Sequence, residues 1–354
     1  MTEFNPEMLV LARESRGLTQ KELAQKLNIA QGTLSKIENG LLLETDEYLE
    51  AFSQVLSYPQ SFFHQREELY KPGEYFFRKK ISASKKDVDK AEALTNIVRL
   101  SINRLLNSVE LKEPEIPIWN VEEFGPPVMA AKYLREYWKL PKGPIENLTT
   151  LLEDHGILII DLDFGSPKLD GLSLFSSGGN PIIFVNRNMP SDRQRLTVAH
   201  ELAHLVLHCR QIIQESRDVE TEAFEFASEF LMPSREISSR LSKLTLQKLA
   251  DLKRYWKVSM AAIIMYARSL RTITDNQYKY LWIQMGTNGY RVKEPVELDF
   301  PQEIPLLTRE IINAHLDDLG YSIEELSSVV HMAGTEFSDR FLFEPPKFFL
   351  KRAI

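Results

Sequence analysis

The sequence has a single cysteine among its 354 residues, Cys209, so no disulfide bond can form within the chain. Small secreted domains commonly depend on several disulfides, and a lone thiol is typical of a protein in a reducing compartment. The sequence also lacks an uninterrupted apolar run approaching about 18 residues, and its start, MTEFNPEMLV, lacks a basic segment followed by an apolar one. We therefore expect no signal peptide, no membrane contact and a cytoplasmic location.

Positive charge is not in excess either. The formal net charge is −7, which bears on solubility more than on fold, so local charge patterns must indicate any nucleic-acid partner. Hydrophobic residues make up 43% and charged residues 26% of the chain, ordinary proportions for globular domains with apolar cores. At roughly 100–200 residues per domain, two or three domains are expected.

The N-terminal part, up to about residue 56, is predicted to be a compact group of short helices. Thr19 and Glu22 form a capping-box pattern, so a helix should begin at Gln20, and Asn28 should close it. A second helix is predicted over about 31–38, before an Asn-Gly pair that favours helix termination. The positions expected to be buried are Leu11, Leu18, Leu23, Leu27, Leu34 and Ile37.

The most basic stretch lies at residues 71–112, with ten Lys and Arg against five Asp and Glu. Apolar residues spaced by three or four predict a connecting helix from about Asp87 to Leu111. Pro114 and Pro117 then mark a boundary.

Strands are predicted only in the middle of the chain. The β-branched run at 156–164 indicates one strand, and the runs at 171–175 and 181–186, separated by Ser-Ser-Gly-Gly-Asn, indicate a hairpin. We therefore expect a small sheet within a mostly helical protein.

A long helix should follow the hairpin, with Asp192 as a candidate N-cap and His208 near its end. Further helices are expected over about 219–270. Within them, 249–264 has the spacing of a helix-turn-helix pair, but Trp256 and its apolar neighbours favour a packing role.

The pattern that carries chemistry is H-E-x-x-H at residues 200–204. Residues four apart share a helical face, so His200 and His204 can bind one ion while Glu201 lies beside it. Two histidines and a carboxylate form the ligand set of a catalytic zinc, with one position left for water. We therefore expect Zn²⁺, with Mn²⁺ as an alternative ion, and Glu201 as the catalytic base. The opposing interpretation, a solvated face with two surface histidines, is disfavoured by the apolar residues around the motif.

The third ligand should be an acidic residue of the following helix. Glu222 is favoured because it adjoins the apolar face of that helix, and Glu220 is the second choice, although spacing alone does not decide between them. The full set of candidates is Glu215, Glu220, Glu222, Glu225 and Glu229. His208, one turn beyond His204, is expected to be a partly buried structural histidine, with support of the metal site as the alternative.

The segments RQRLTVAHELAHLVLH (193–208) and EAFEFASEFLMP (222–233) resemble the signature of the ImmA/IrrE family of metallopeptidases. The resemblance covers roughly residues 130–270 and implies a zincin-like domain whose third zinc ligand is Glu222. Phe224 stands where the family usually has Asn. Members of this family cut repressors of the helix-turn-helix type, so the resemblance also implies a repressor-type protein substrate.

The segments RGLTQKELAQKL (16–27) and QGTLSKIENG (31–40) are similar to the XRE-type helix-turn-helix family. The resemblance implies binding to double-stranded DNA, with the second helix in the major groove. By position, Gln31 and Lys36 are expected to face bases. Residues 1–42 carry five basic and five acidic side chains, so a helical bundle that contacts protein is the alternative. The residues expected to contact phosphates are Gln20, Thr33, Ser35 and Asn39.

Together these features predict an α+β, mostly helical protein: a DNA-binding regulator with zinc-dependent endopeptidase activity toward a repressor or itself. A homodimer is compatible with this reading. The alternatives are a non-proteolytic transcription factor with a structural or sensory metal, and an antitoxin-like regulator. The expected segments are a DNA-binding domain (1–68), a basic helical linker (69–113), a metallopeptidase domain (114–295) and a C-terminal region of unknown role (296–354).

Overall fold

The computed structural model describes residues 3–43, 45–70, 83–211, 213–214 and 216–342. The described residues fall into two compact units: unit 1 at 3–70, 83–111 and 306–342, and unit 2 at 112–305. Residues 71–82 of the expected linker and 343–354 of the expected C-terminal region lie outside the described residues. No helix in the described part of the chain has the length and apolar character needed to cross a bilayer.

Unit 1 begins with four helices and a short 3₁₀ turn, Gln60–His64, followed by a long helix. The capping box predicted at Thr19 is present, since its hydroxyl accepts from the Glu22 backbone and the Glu22 carboxylate accepts from the Thr19 backbone. Asn28 follows the second helix with a φ of 54°. The helices are α1 (Pro6–Ser15), α2 (Gln20–Lys26), α3 (Gln31–Glu38), α4 (Asp46–Leu56) and α5 (Lys85–Leu105).

The helix expected in the linker is α5, and it packs against α1 within unit 1. The Asn96 side chain bonds both backbone groups of Tyr70, and Arg99 donates to the carbonyl of Glu68. These contacts bind α5 to the segment that leaves the N-terminal helices, so in this structure α5 is an integral part of unit 1.

Unit 2 is built around a three-stranded sheet of order β1-β3-β2, with β1 parallel and β2 antiparallel to the central β3. The predicted hairpin is present, and the Ser176 amide bonds the Asn180 carbonyl across its turn. The strands are β1 (Leu158–Leu162), β2 (Gly171–Phe175) and β3 (Pro181–Asn186). The helices are α6 (Val121–Phe124), α7 (Pro127–Tyr137), α8 (Leu148–Asp154), α9 (Ser191–Leu207), α10 (Val219–Leu231), α11 (Ser234–Ile237), α12 (Leu246–Trp256), α13 (Met260–Ser269) and α14 (Asp275–Thr287).

The core of unit 2 lies where α9 packs on the sheet and α10 packs between α9 and α7. Phe226 and Phe230 of α10 are fully buried, as are Leu202 and Ala203 of α9. This apolar packing holds α9 and α10 side by side, so side chains on their facing sides are brought together. The architecture is α+β and mostly helical, which confirms the predicted fold class.

The start of α9 differs from the sequence-based expectation. Pro190 is its N-cap, and Asp192 lies inside the first turn. The Asp192 carboxylate instead accepts from Nζ of Lys253 at 2.6 Å, and Glu294 lies 2.9 Å from the same amine. Asp192 therefore links α9 to α12, a long-range contact that local capping rules cannot reveal.

Replacing Lys253 by Met is expected to destabilise unit 2 by about 3–5 kcal/mol, because it leaves two carboxylates without their buried cation. The side chain of Lys253 is 1% exposed. All four tryptophans lie in unit 2, so their fluorescence during urea unfolding reports this unit. The exposed Lys279→Met is the matched control, expected to change stability by less than about 0.5 kcal/mol. An equal effect of the two substitutions would contradict the assignment.

Asp161 of β1 gives unit 2 a pH dependence. Burial raises the pKa of this carboxyl to about 6, with the charge of Arg187 opposing the shift. The native state therefore binds more protons than the unfolded state between about pH 4 and pH 6, so stability falls as pH rises through that window. Asp161→Asn should be more stable than the original at pH 8 by about 1–2 kcal/mol, and the difference should vanish near pH 4. A difference independent of pH, in the same fluorescence assay, would contradict this.

Unit 1 is completed by the last described helices: α15 (Leu307–Asn313), which continues in a π-helical turn, α16 (Ile323–Val329) and α17 (Gly334–Phe341). Glu336 of α17 pairs with Arg16 at 2.7 Å, and Nδ1 of His331 lies 2.8 Å from the Ser61 hydroxyl. Residues 306–342 of the C-terminal region, to which the sequence assigned no role, thus pack onto the N-terminal part of unit 1, whereas residues 296–305 belong to unit 2.

The pair α16–α17 repeats the local design of α2–α3. Both pairs begin with a capping box, at Thr19 and at Ser322, and both have a left-handed residue in the turn, Asn28 and His331. An alanine is then the N-cap of an eight-residue second helix in each pair. Residues 322–341 therefore match 19–38 position by position in element boundaries.

Candidate metal centre

The H-E-x-x-H residues lie on α9, which is buried between the sheet and α10. His204 is 1% exposed and Glu201 is 5% exposed. The helical spacing brings the two imidazole rings to a centroid separation of 4.8 Å, with Nε2 of His200 and Nε2 of His204 3.1 Å apart. The expected pair of nitrogens on one helical face is present.

The carboxylate that joins this pair belongs to Glu220. Its Oε2 lies 3.4 Å from Nε2 of His200, and its Oε1 lies 3.5 Å from Nε2 of His204. Two ligands bound at about 2.0–2.2 Å to a tetrahedral ion are about 3.3–3.6 Å apart, which is close to the separations of 3.1, 3.4 and 3.5 Å found between these three side chains. Among the described residues, these three form a group able to hold a metal ion.

Glu222, the favoured third ligand, has other partners. Its carboxylate binds Arg217 through two hydrogen bonds and accepts from Nε2 of His208 at 2.9 Å. Residues two apart on a helix project about 200° apart, so only one of Glu220 and Glu222 can face the two imidazoles. The structure brings Glu220, the second choice, to that position. Glu215 lies outside the described residues.

Glu222 is held as a carboxylate. Burial alone would raise its pKa, but the hydrogen bonds from His208 and Arg217 lower the pKa of Glu222 to about 2. His208 is buried, and burial is the main reason that its pKa is lowered to about 4. His208 also lies 2.9 Å from Nδ1 of His204 through its own Nδ1. It is therefore a buried histidine that touches a candidate ligand directly.

Glu201 has a fixed position on the sheet side of α9. Its Oε2 accepts a hydrogen bond from the hydroxyl of Ser173, a fully buried residue of β2, at 2.9 Å. A Cβ on Gly171 would meet Thr197 at 2.6 Å and Glu201 at 3.3 Å, so the missing side chain lets the strand approach the helix at this point. Nothing in the sequence indicated Ser173, Gly171 or Arg217. Ser173 and Gly171 come close to the H-E-x-x-H residues only because β2 packs against α9.

Cys209 lies next to this region. Burial is the main reason that its pKa is raised to about 12, so the thiol stays protonated at neutral pH. The thiolate, and not the thiol, is the nucleophilic and metal-binding form of cysteine.

In unit 1, α3 presents the residues expected to read DNA. Gln31 and Lys36 are exposed, and Thr33 and Ser35 are partly exposed. Two of the expected phosphate contacts already have protein partners: the amide of Gln20 donates to Glu38, and the amide of Asn39 donates to the carbonyl of Ser35. The arrangement leaves Gln31 and Lys36 as the side chains best placed for a ligand.

Comparison with known families gives one match in each of the two units. Residues 152–266 match the family described as IrrE N-terminal-like domain, and residues 9–59 match the family described as helix-turn-helix. The first match spans α9 and α10 with all the candidate ligands, and the second runs from within α1 to beyond the end of α4. No curated protein matches the chain.

Proposed function

Because this chain joins an XRE-type helix-turn-helix domain to an IrrE/ImmA-like peptidase domain, we propose that it is a DNA-binding regulator with zinc-dependent endopeptidase activity. The observation that carries the proposal is the convergence of two imidazole nitrogens and one carboxylate at His200, His204 and Glu220. These residues would hold the ion. Glu201 is the catalytic base, and Glu222 is not a ligand.

The donor set fits zinc by its chemistry as well as its spacing. Imidazole nitrogen and carboxylate oxygen are both zinc ligands, and three protein ligands leave the open position of a catalytic site. The two ring nitrogens, 3.1 Å apart, and the carboxylate of Glu220 also lie together in a largely buried place. Mn²⁺ accepts the same donors less readily and is the alternative ion.

Zinc supplies Lewis acidity, which polarises a peptide carbonyl and makes water easier to deprotonate. The protein supplies the proton transfers: Glu201 takes the proton from water and returns it to the leaving amine. The Ser173 hydroxyl holds one Glu201 oxygen, so the carboxylate keeps one orientation through both transfers. The proposed substrate is a helix-turn-helix repressor or the chain itself. The proposed location is the cytoplasm, where DNA is also available.

The proposal is tested by incubating zinc-loaded protein with candidate repressors and with a Glu201→Gln copy of the chain as substrate. A single cut, located by intact-mass spectrometry and abolished by a chelator, is the expected result. Protein that takes up no divalent metal, or cutting that the chelator leaves unchanged, would refute it. Metal binding with regulation but no cutting would favour the non-proteolytic regulator.

The DNA-binding part makes a separate prediction. On a duplex selected from a random pool, Gln31→Ala and Lys36→Ala are each expected to weaken binding by about 1–3 kcal/mol, or roughly 5- to 150-fold, because they remove contacts to base edges. Lys26→Ala removes the same charge from α2 and should lower affinity less, without changing the preferred sequence. Fluorescence anisotropy at fixed salt measures both. Unchanged affinity in both α3 variants would contradict the assignment.

A further inference from the structure

His204 has a partner at each of its two ring nitrogens. Its Nε2 faces His200 and Glu220, while its Nδ1 lies 2.9 Å from Nδ1 of His208. His208 in turn reaches Oε2 of Glu222 through its Nε2, also at 2.9 Å. A continuous chain of hydrogen bonds therefore runs from Glu222 through His208 to the imidazole of His204.

The chemistry of the three groups determines which atom donates in each of these two hydrogen bonds. A carboxylate can only accept, so Nε2 of His208 must carry a hydrogen. In a neutral ring the other nitrogen of His208 then has a lone pair, and Nδ1 of His204 must donate to it. The hydrogen of His204 is thereby fixed on Nδ1, which leaves the lone pair of Nε2 directed at Glu220 and His200.

We infer that Glu222 and His208 are positioning residues that select the metal-binding tautomer of His204. The inference rests on the metal site of the proposed function. Arg217 takes part by donating two hydrogen bonds to the Glu222 carboxylate, so this carboxylate cannot rotate away from His208. Glu222 thus acts on the ligand His204 through two hydrogen bonds rather than binding the ion itself.

The position of His208 suits this task. The residue is the C-cap of α9, and its backbone amide bonds the carbonyl of His204. It is 7% exposed, so water competes weakly for the bond between the two rings. Hydrogen-bond partners of metal-binding histidines typically change metal affinity 10- to 100-fold, and here that role is divided between two residues in series.

The test compares His208→Asn with His208→Leu. Asn and Leu have the same branched shape, but only Asn offers an oxygen close to where Nδ1 of His208 lies. Zinc affinity, measured by competition with a chelating dye, should fall about 10- to 100-fold in His208→Leu and in Glu222→Leu, and His208→Asn should recover most of the loss. Melting of the metal-free proteins, measured in parallel, reports any general loss of folding.

A second readout is the tautomer itself. In zinc-loaded protein, ¹⁵N-correlated NMR should find the hydrogen of His204 on Nδ1. The inference is overturned if Asn is no better than Leu, if the hydrogen is on Nε2, or if the original protein binds no zinc. Protein that behaves as expected here yet cuts no substrate would refute the peptidase proposal and leave this inference standing.

Discussion

Glu201→Gln is expected to bind zinc as the original protein does and to lose about 10²- to 10⁴-fold in peptidase rate, the usual contribution of a general base. An amide has nearly the shape of a carboxylate, and its oxygen can still accept from the Ser173 hydroxyl, which now donates at 2.9 Å. The substitution therefore removes the proton acceptor while leaving the buried contacts of α9 in place. Rates on an identified substrate, with metal content measured on the same samples, give the result.

Ser173→Ala is a milder variant to compare with Glu201→Gln. It retains the carboxylate but removes the group that orients it, so its rate should lie between those of the original and of Glu201→Gln. If Glu201→Gln cuts at an undiminished rate while fully loaded with zinc, the carboxylate is not the base. Loss of zinc in this variant would instead show that Glu201 supports the metal itself.

Glu220→Gln is expected to weaken zinc binding by more than about 100-fold, beyond the range typical of residues that only hydrogen-bond a ligand. Glu220 lies within 3.5 Å of both imidazole nitrogens, and an amide is a poor zinc ligand. Glu222→Gln is the matched control, since it makes the same chemical change two residues along the same helix. It should keep one zinc per chain, with affinity lowered by about 100-fold at most.

Metal content after dialysis and competition titration measure both variants. Equal loss in the two would mean that the helix, rather than one carboxylate, determines affinity. A stronger effect at Glu222 than at Glu220 would restore the ligand that the family signature suggested and would require α10 to turn in the metal-bound protein.

The candidate metal centre illustrates what a sequence can and cannot predict. His200, Glu201 and His204 can be predicted from the sequence because their relative positions depend only on the geometry of one helix. The choice between Glu220 and Glu222 depends on how α10 is rotated against α9, which is set by apolar packing of Phe226 and its neighbours across the interface. Spacing along the chain carries no information about that rotation.

The same distinction holds in the fold. The capping box at Thr19 and the hairpin over 171–186 were predicted because each is specified by adjacent residues. Asp192 was misassigned as a helix cap because its actual partner, Lys253, is 61 residues away. The packing of α16 and α17 onto the N-terminal helices likewise depends on Arg16 and Glu336, 320 residues apart.

The turn shared by α2–α3 and α16–α17 occurs again between α12 and α13, where Lys257 has a φ of 54°. Around α16–α17 the exposed charges are the carboxylates of Glu324, Glu325 and Asp339, which repel a polyanion. The two helix pairs have the same backbone form, so electrostatic potential rather than shape would distinguish them for a DNA duplex. A duplex would accordingly bind unit 1 on the side that carries Gln31 and Lys36.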